Sequence, residues 1–423
     1  MWKLVLSQNG NSMDLSKIGR HKDQKVVWVG WFWEHSGYAA MNRSYVRGLH
    51  NLGWNMGIET INCPLEISEE EFHYFNNLRN FYPNGNTNVP DLFLDPEVIK
   101  VVCWIPLKGI PRFKSNIIYT MMESRSVGDF FIKTCSENYD VCWTPTEYYS
   151  NQMQEDGLSI PSMVVPIGVD DIYKKENVKE NLNIKYKVFS KRRPIPGKPE
   201  GFKFLSVFRW NYRKGPDVLI KAFLREFTYK DDVSLVIMSK HAAASREKRF
   251  SDAVEAEICQ LVEEFGNDSS APIYWSDANI PYEDMPTMYA MGDCFCLPSR
   301  GEGLGLPCLE ASRMGLPTIL PHHTGLSDYV TDNTSFTFDT DGWEVCDNNP
   351  KWSSWVTRVY SGQEFPIFGE SVINEVAGLM REVKDNPRKS EEKVEKMNKV
   401  IDEKYTWDKC IKKASDYFCE ILR

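Results

Sequence analysis

The chain has 423 residues, 42% of them hydrophobic and 26% charged, which is enough apolar content to fill the cores of two or three domains. Acidic residues outnumber basic ones 59 to 50, a formal net charge of −9, which argues against a phosphate backbone or an anionic bilayer as a general partner. No apolar run approaches the ~20 residues of a membrane span, the apolar start is too short for a signal peptide, and eleven cysteines lie scattered without metal spacing. A cytoplasmic protein with reduced thiols is expected, with room for a peripheral membrane contact through a small local patch.

The first strand reads Lys25-Val-Val-Trp-Val-Gly-Trp-Phe-Trp, and a helical pattern runs from Ala39 to Leu52. Gly37 lies between them, either as a plain turn or as a point where backbone approaches a phosphate or sugar. Asn55-Met-Gly-Ile-Glu-Thr-Ile is the second strand. From Cys63 to Asp95 the pattern breaks into a long aromatic segment with Phe72, Tyr74, Phe75, Phe81 and Tyr82, which either shapes an acceptor side or anchors an insertion on the core. Strands resume at Val101-Val-Cys-Trp-Ile and Asn116-Ile-Ile-Tyr-Thr-Met-Met. The latter runs into Glu123-Ser-Arg125, at the carboxyl end of a strand, where ligands sit in open α/β sheets. Glu123 reads either as a partner or base for an acceptor hydroxyl, or as a surface carboxylate paired with Arg125. Val141-Cys-Trp-Thr precedes a helix to Asp156, and Met163-Val-Val-Pro-Ile-Gly-Val-Asp170 closes the half. Residues 171–200, rich in lysine and proline, read as a solvated linker.

The second half opens on the strand Phe202-Lys-Phe-Leu-Ser-Val-Phe, then Arg209-Trp-Asn-Tyr-Arg-Lys-Gly-Pro-Asp217 and a helix from Val218. A strand from Val233, a helix from Ala253 to Phe265, a strand ending Ile273-Tyr-Trp-Ser-Asp277 and a short helix from Pro281 to Met291 follow. Phe295-Cys-Leu, stopped by Pro298-Ser299, leads into a loop with Gly301, Gly303 and Gly305, whose spacing predicts positive φ and N–H groups open to a ligand. Pro307 suits the first turn of the next helix, which carries Glu310 eight positions after Glu302 in the loop. Helix-start amides favour an anion and paired carboxylates accept sugar hydroxyls, so the combination suits a nucleotide sugar. Thr318-Ile-Leu is the next strand. His322 and His323 have no third ligand in view, so no metal is expected. Helices near Ser371–Val383 and Glu391–Lys404 and a last amphipathic helix from Tyr405 complete the chain.

From Pro298-Ser299 through Glu302-x7-Glu310 to Met314-Gly-Leu-Pro-Thr318, the chain resembles the signature of the retaining family-four glycosyltransferases, the glycosyl transferases group 1. Pro166-Ile-Gly-Val-Asp170, the Arg209 to Lys214-Gly215 segment and the turn after Leu320 extend the likeness. The resemblance implies an α/β protein of GT-B fold, two Rossmann-like domains facing across a cleft. They are an acceptor domain over 1–170, a linker over 171–200, a nucleotide-sugar domain over 201–404, and a helix over 405–423 crossing back. It implies Arg209 and Lys214 on the diphosphate, Glu310 on ribose hydroxyls, and Glu302 with Gly303, Leu304, Gly305 and Leu306 on the donor sugar. Gly37 and Thr324 would face the donor, Glu123 the acceptor. Trp275 and Ser276 lie where the family lodges the base, although a buried structural tryptophan is the stronger account of Trp275. Many members carry a histidine near Glu123, and this chain does not. No Asp-x-Asp run is assigned as a metal holder, because a departing diphosphate can be met by a guanidinium and an ammonium instead.

The expected activity is therefore metal-independent transfer of a hexose-type sugar from a UDP- or GDP-linked donor to a glycan, lipid-linked or small-molecule hydroxyl. The donor is a co-substrate, and no cofactor is expected. A nucleotide-sugar isomerase or hydrolase, a binding protein without turnover and an enzyme acting on modified DNA bases are the alternatives, the last disfavoured by the acidic balance.

Overall fold

The structure is a computed structural model that describes residues 23–33, 36–60, 69–79, 96–180, 182–191, 197–241 and 248–423. Phe81, Tyr82, the side chain of Phe72 and most of the basic run after Ser190 lie outside the described residues. The chain forms two compact units, one made by the residues up to Tyr119 with Ile411–Arg423, the other by Thr120–Cys410.

The first unit contains β1 (Lys25–Gly30), α1 (Gly37–Asn51), β2 (Asn55–Thr60), α2 (Glu69–Arg79), β3 (Ile99–Cys103) and β4 (Ser115–Tyr119). Its strands run parallel in the order β2-β1-β3-β4. Both β3 and β4 are buried at every position, as a parallel sheet covered on its faces requires. The charged exception, Lys100 on β3, is tolerated because its ammonium lies 3.2 Å from Glu59 on β2. The Ser36 hydroxyl caps α1 by accepting from the Ala39 N–H. The end of the C-terminal helix, Trp407–Ile421, packs into this unit. Trp54 Nε1 donates to Ser415 Oγ at 2.9 Å, and the Phe418 ring meets the Trp54 ring edge-on at 5.2 Å.

The second unit begins with α3 (Asp129–Asn138), β5 (Val141–Thr144), α4 (Glu147–Glu155) and β6 (Ser162–Val164), with β5 and β6 parallel. It continues through β7 (Lys187–Phe189), β8 (Phe202–Trp210), α5 (Pro216–Glu226), β9 (Val233–His241), α6 (Lys248–Phe265), β10 (Ile273–Ser276), α7 (Met285–Tyr289), β11 (Cys294–Cys296), α8 (Leu306–Arg313), β12 (Thr318–Pro321) and β13 (Phe336–Phe338). A two-stranded antiparallel pair, β14 (Gly342–Val345) and β15 (Glu364–Ile367), encloses α9 (Ser354–Val359), and α10 (Glu370–Asp385) and α11 (Pro387–Lys404) follow. Seven strands form one sheet in the order β13-β12-β11-β8-β9-β10-β7, parallel except for β7. β8 and β11 are neighbours in register, Phe204 opposite Cys294, so the loops leaving their carboxyl ends emerge side by side.

The short strands β7, β13, β14 and β15 are absent from the sequence reading. Three or four residues carry too little alternation to be distinguished, and Pro366 in β15 is tolerated because the pair has no further strand. None of the described cysteines is paired in a disulfide. Among the described residues no helix is long and apolar enough to cross a membrane. Phe418 is fully buried, so Phe418→Ala should cost about 3–5 kcal/mol, read as a lower urea midpoint. An unchanged midpoint would remove the C-terminal helix from the core.

Candidate functional site

β8 ends at Trp210, and the Asn211 side chain then caps a single 3-10 turn, Tyr212–Lys214, accepting the Lys214 N–H at 3.2 Å. Gly215 closes the turn at φ 68°, and a Cβ there would lie 1.9 Å from the Pro298 carbonyl oxygen, so the position requires glycine on both counts. Arg300, 1% exposed, fastens this turn to the loop after β11. Its guanidinium donates to the Tyr212 carbonyl at 2.7 Å and to both Asp217 oxygens at 2.9 and 2.8 Å, and it stacks 3.8 Å from the Tyr212 ring centroid. Burial alone would raise the Asp217 carboxyl, but Arg300 outweighs it and holds the group below its ordinary range.

Of the three glycines between β11 and α8, only Gly305 has positive φ, 80°. Gly301 and Gly303 depart from that expectation; what they supply is room. A Cβ on Gly301 would lie 1.7 Å from the Glu123 carbonyl oxygen, and one on Gly303 3.1 Å from the Met121 Cβ. The glycine loop therefore lies against the backbone that carries Glu123. Tyr149 ties the two, its hydroxyl 3.1 Å from the Ser124 carbonyl and 3.4 Å from that of Glu302.

Four charges meet there. Glu302 Oε1 lies 2.5 Å from Lys214 Nζ and 3.6 Å from Arg213 Nη1, and Arg213 Nη2 lies 2.8 Å from Glu123 Oε1. The Tyr360 hydroxyl donates to Glu123 Oε2 at 3.0 Å. Burial pushes the Glu302 carboxyl up, yet Lys214 and Arg213 together outweigh it and leave it below its ordinary value. Glu302 keeps only 6% of its side chain exposed and Glu123 25%, so Glu123 is the carboxylate facing outward. Arg125, the partner considered for Glu123, pairs instead with Glu364 at 3.3 Å.

Glu310 sits apart, on α8, accepting from the Tyr289 hydroxyl at 2.7 Å. Burial raises its carboxyl above the ordinary range despite hydrogen bonds from Tyr289 and Tyr173. The N–H groups of Gly303, Leu304 and Gly305 hydrogen-bond to nothing among the described residues, and Leu306 begins α8. Thr324, a β-branched residue at φ 52°, accepts the Glu302 N–H at 3.2 Å and donates to the His323 carbonyl at 2.8 Å, so its hydroxyl pins the loop. His323 is buried between Trp343 and Phe368, and burial pushes its imidazole down to about 3, so it is neutral at ordinary pH.

Trp275 is 1% exposed and its indole N–H donates to the Ser239 carbonyl at 3.0 Å, which accounts for it as a core residue, while Ser276 accepts the Ala278 N–H at 3.2 Å. Arg209 is exposed on β8, beside Lys240 in register, and its side chain does not join the charged cluster. Gly37 is the first residue of α1 in the other unit, where a Cβ would meet nothing within 4 Å. Among the described residues no three His, Cys, Asp or Glu are grouped to hold a metal. Asp339-Thr-Asp341 does have Asp-x-Asp spacing, but Asp341 caps α10, taking the Gly369 N–H at 2.7 Å.

Sequence reasoning missed Arg213 and Tyr360. The signal for Arg213 was Asn211 followed by Gly215, a cap and a left-handed stop that bound one tight turn and present its last two side chains together. Tyr360 carried no signal, being 237 positions from Glu123.

Residues 188–354 match the family described as Glycosyl transferases group 1. That stretch is a group 1 glycosyltransferase domain. The chain is similar to O-antigen chain mannosyltransferase B of Escherichia coli, 43% identical over 53 residues, 12% of this chain and 14% of that protein. It is also similar to a GDP-mannose-dependent monoacylated alpha-(1-6)-phosphatidylinositol monomannoside mannosyltransferase of Corynebacterium glutamicum, 30% identical over 129 residues, 29% of this chain and 30% of that protein. The chain thus spans less than a third of the length of these curated relatives. Its fold is similar to that of HepE from Anabaena, crystallised with UDP and glucose, at a TM-score of 0.62 and 10% identity over 94% of this chain and 100% of HepE. The chain therefore has the GT-B fold.

The carboxylates titrate in opposite senses. Glu302 and Asp217 have folded values below their unfolded ones of about 4, so the stability they contribute is complete above that pH and is lost as pH falls through the folded values. Glu310 is raised, so its ionisation opposes folding above its folded value. Thermal unfolding of the protein between acid and neutral pH should show Glu310→Gln more stable than the parent at pH 7. Asp217→Asn should be roughly 3–5 kcal/mol less stable there, with a flatter acid limb. The reverse order would refute the assigned directions.

Proposed function

We propose that the glycosyltransferase moves a hexose-type sugar from a UDP- or GDP-linked donor to a hydroxyl acceptor, with retention of anomeric configuration and without a metal. One observation carries this reading: Arg213 and Lys214 end one glycine-stopped turn and converge on Glu302, immediately before the open N–H groups of Gly303 to Gly305. Two adjacent cations and a helix-start row of amides suit a diphosphate whose charge grows as the glycosidic bond breaks. Before donor arrives, Glu302 neutralises Lys214 and holds its ammonium in place. An entering diphosphate exchanges that carboxylate for phosphate oxygens, and Glu302 is released toward the sugar hydroxyls.

Glu310, an ionisable group kept in an unfavourable environment by burial, gains most from ribose hydroxyls that donate to it. Arg209, exposed near the same turn, supplies a third cation at the diphosphate. Glu123, the outward carboxylate, meets the acceptor. Both of its oxygens already accept a hydrogen bond, from Arg213 and Tyr360, so it orients the acceptor hydroxyl. The departing phosphate oxygen then takes the proton in a front-face displacement. The similar proteins support both bases, one being GDP-mannose-dependent and one bound to UDP with glucose. Described cysteines that form no disulfide favour a cytoplasmic setting, and the acceptor is a glycan, a lipid-linked sugar or a small molecule.

Nucleoside-diphosphate release from UDP-glucose and GDP-mannose, with and without added acceptors, tests the reading. Lys214→Ala should lower kcat by about 10²–10³-fold. Glu310→Ala should raise donor KM about tenfold or more, because it removes binding that donor and transition state share. Kinetics equal to the parent in both variants would mean the site is misplaced, and an epimerised donor would identify an isomerase instead.

A further inference from the structure

The segment from β14 to β15 touches each of the three loops that carry the charged cluster. Trp352 packs edge-on to Tyr212 of the cation turn at 5.1 Å, and Asn349 Nδ2 lies 3.4 Å from the Tyr212 hydroxyl. Phe365, its ring centroid 4.3 Å from that of Trp352, lies beneath Gly301, where a Cβ would be 3.4 Å from its ring. The third contact is the most detailed. Ser124 Oγ donates to Gln363 Oε1 at 2.5 Å, the Arg125 N–H to the Glu364 carbonyl at 2.9 Å, and the Arg125 guanidinium sits over Trp343 at 4.8 Å. Gly128 lies against the same side chain, since a Cβ there would be 2.6 Å from Gln363 Nε2. Tyr360, 5% exposed, reaches out of this segment to Glu123. Tyr360, Gln363 and Glu364 all lie beyond residue 354, where the match to the family ends.

We infer that residues 342–367 are a buttress that assembles the transfer site, and that Tyr360 is a positioning residue holding Glu123 toward the acceptor. The inference rests on the transferase reading and deepens it. Arg213 and Tyr360 grip one Glu123 oxygen each, and the two together fix the plane of the carboxylate; with the phenol removed, the carboxylate is free to rotate about the remaining Arg213 contact. The remaining lone pairs then meet an acceptor hydroxyl in one orientation, which is what a displacement needs from a group that does not itself take the proton. Gln363 and Glu364 hold Ser124 and Arg125, the two residues that follow Glu123, so the orientation does not depend on Tyr360 packing alone.

The test uses the full chain with UDP-glucose and GDP-mannose as donors and water, glycerol and methyl α-mannoside as acceptors, following diphosphate release. Tyr360→Phe should lower kcat about tenfold with the donor that the parent turns over, the loss expected for one hydrogen bond to a charged group. Donor KM should stay at the parent's value, and the melting temperature should fall by no more than the few degrees that one lost hydrogen bond costs. In a Glu123→Ala background the same substitution should change nothing further, because its effect passes through that carboxylate. A Tyr360→Phe variant with the parent's kcat, or an effect that persists in full without Glu123, overturns the inference. A general loss of stability that moves kcat and KM together also overturns it, by making the tyrosine a packing residue. If the parent releases no nucleoside diphosphate from either donor, the transferase reading itself falls and takes this one with it.

Discussion

A guanidinium buried in the middle of the second unit sets the geometry of everything around it. Arg300 is held by both oxygens of Asp217, by the Tyr212 carbonyl and by the face of the Tyr212 ring. An ion pair so enclosed adds little net stability compared with an apolar contact of the same shape, because both charges lose their water. What it provides is specificity, since removing either partner strands the other, and only one docking of the cation turn on the glycine loop satisfies both. The Arg300 N–H also donates to the Arg213 carbonyl at 2.5 Å, so the backbone carrying the functional arginine is fixed by the residue that anchors its loop.

On that support the protein places groups that are uncomfortable alone. Glu302 is almost fully buried and is ionised because two cations outweigh its desolvation. Glu310 is half-buried, with hydroxyl partners, and its carboxyl is raised. Thr324 takes a left-handed backbone that a β-branched residue adopts at some cost, in order to cap the Glu302 N–H. Strain, an enclosed ion cluster and a raised carboxyl within one set of loops are what a binding site shows when its ligand is expected to complete the interactions.

The division of labour within the cluster follows from exposure. Lys214 and Glu302 are enclosed, and their pairing keeps the ammonium from collapsing elsewhere before a ligand arrives. Glu123 is more open, yet its direction is imposed by three separate elements, the turn after β8, the glycine loop and the β14–β15 segment. The site is thus built on strand ends and tight turns whose positions the parallel sheet fixes, and no part of the ionic geometry depends on a long free loop.

The sequence by itself determined the class of the fold and one half of the site. Long apolar strands alternating with amphipathic helices can only bury themselves as parallel sheets with helices on the faces. Glu302 and Glu310 were legible as well, because a glycine-rich loop leading into a proline-started helix places both by local rules. Which arginine joins Lys214 at Glu302 was not legible. Arg209 and Arg213 lie four residues apart, and only the capped turn closed by Gly215 against Pro298 turns the second inward and leaves the first exposed on β8. Nor could local pattern link Tyr360 to Glu123, since their hydrogen bond joins positions that only the docking of the β14–β15 segment on Ser124 and Arg125 brings together. Periodicity and capping act over a few residues, whereas the partner of a buried charge is chosen by whatever packing leaves it a route to neutralisation, and that choice belongs to the tertiary structure.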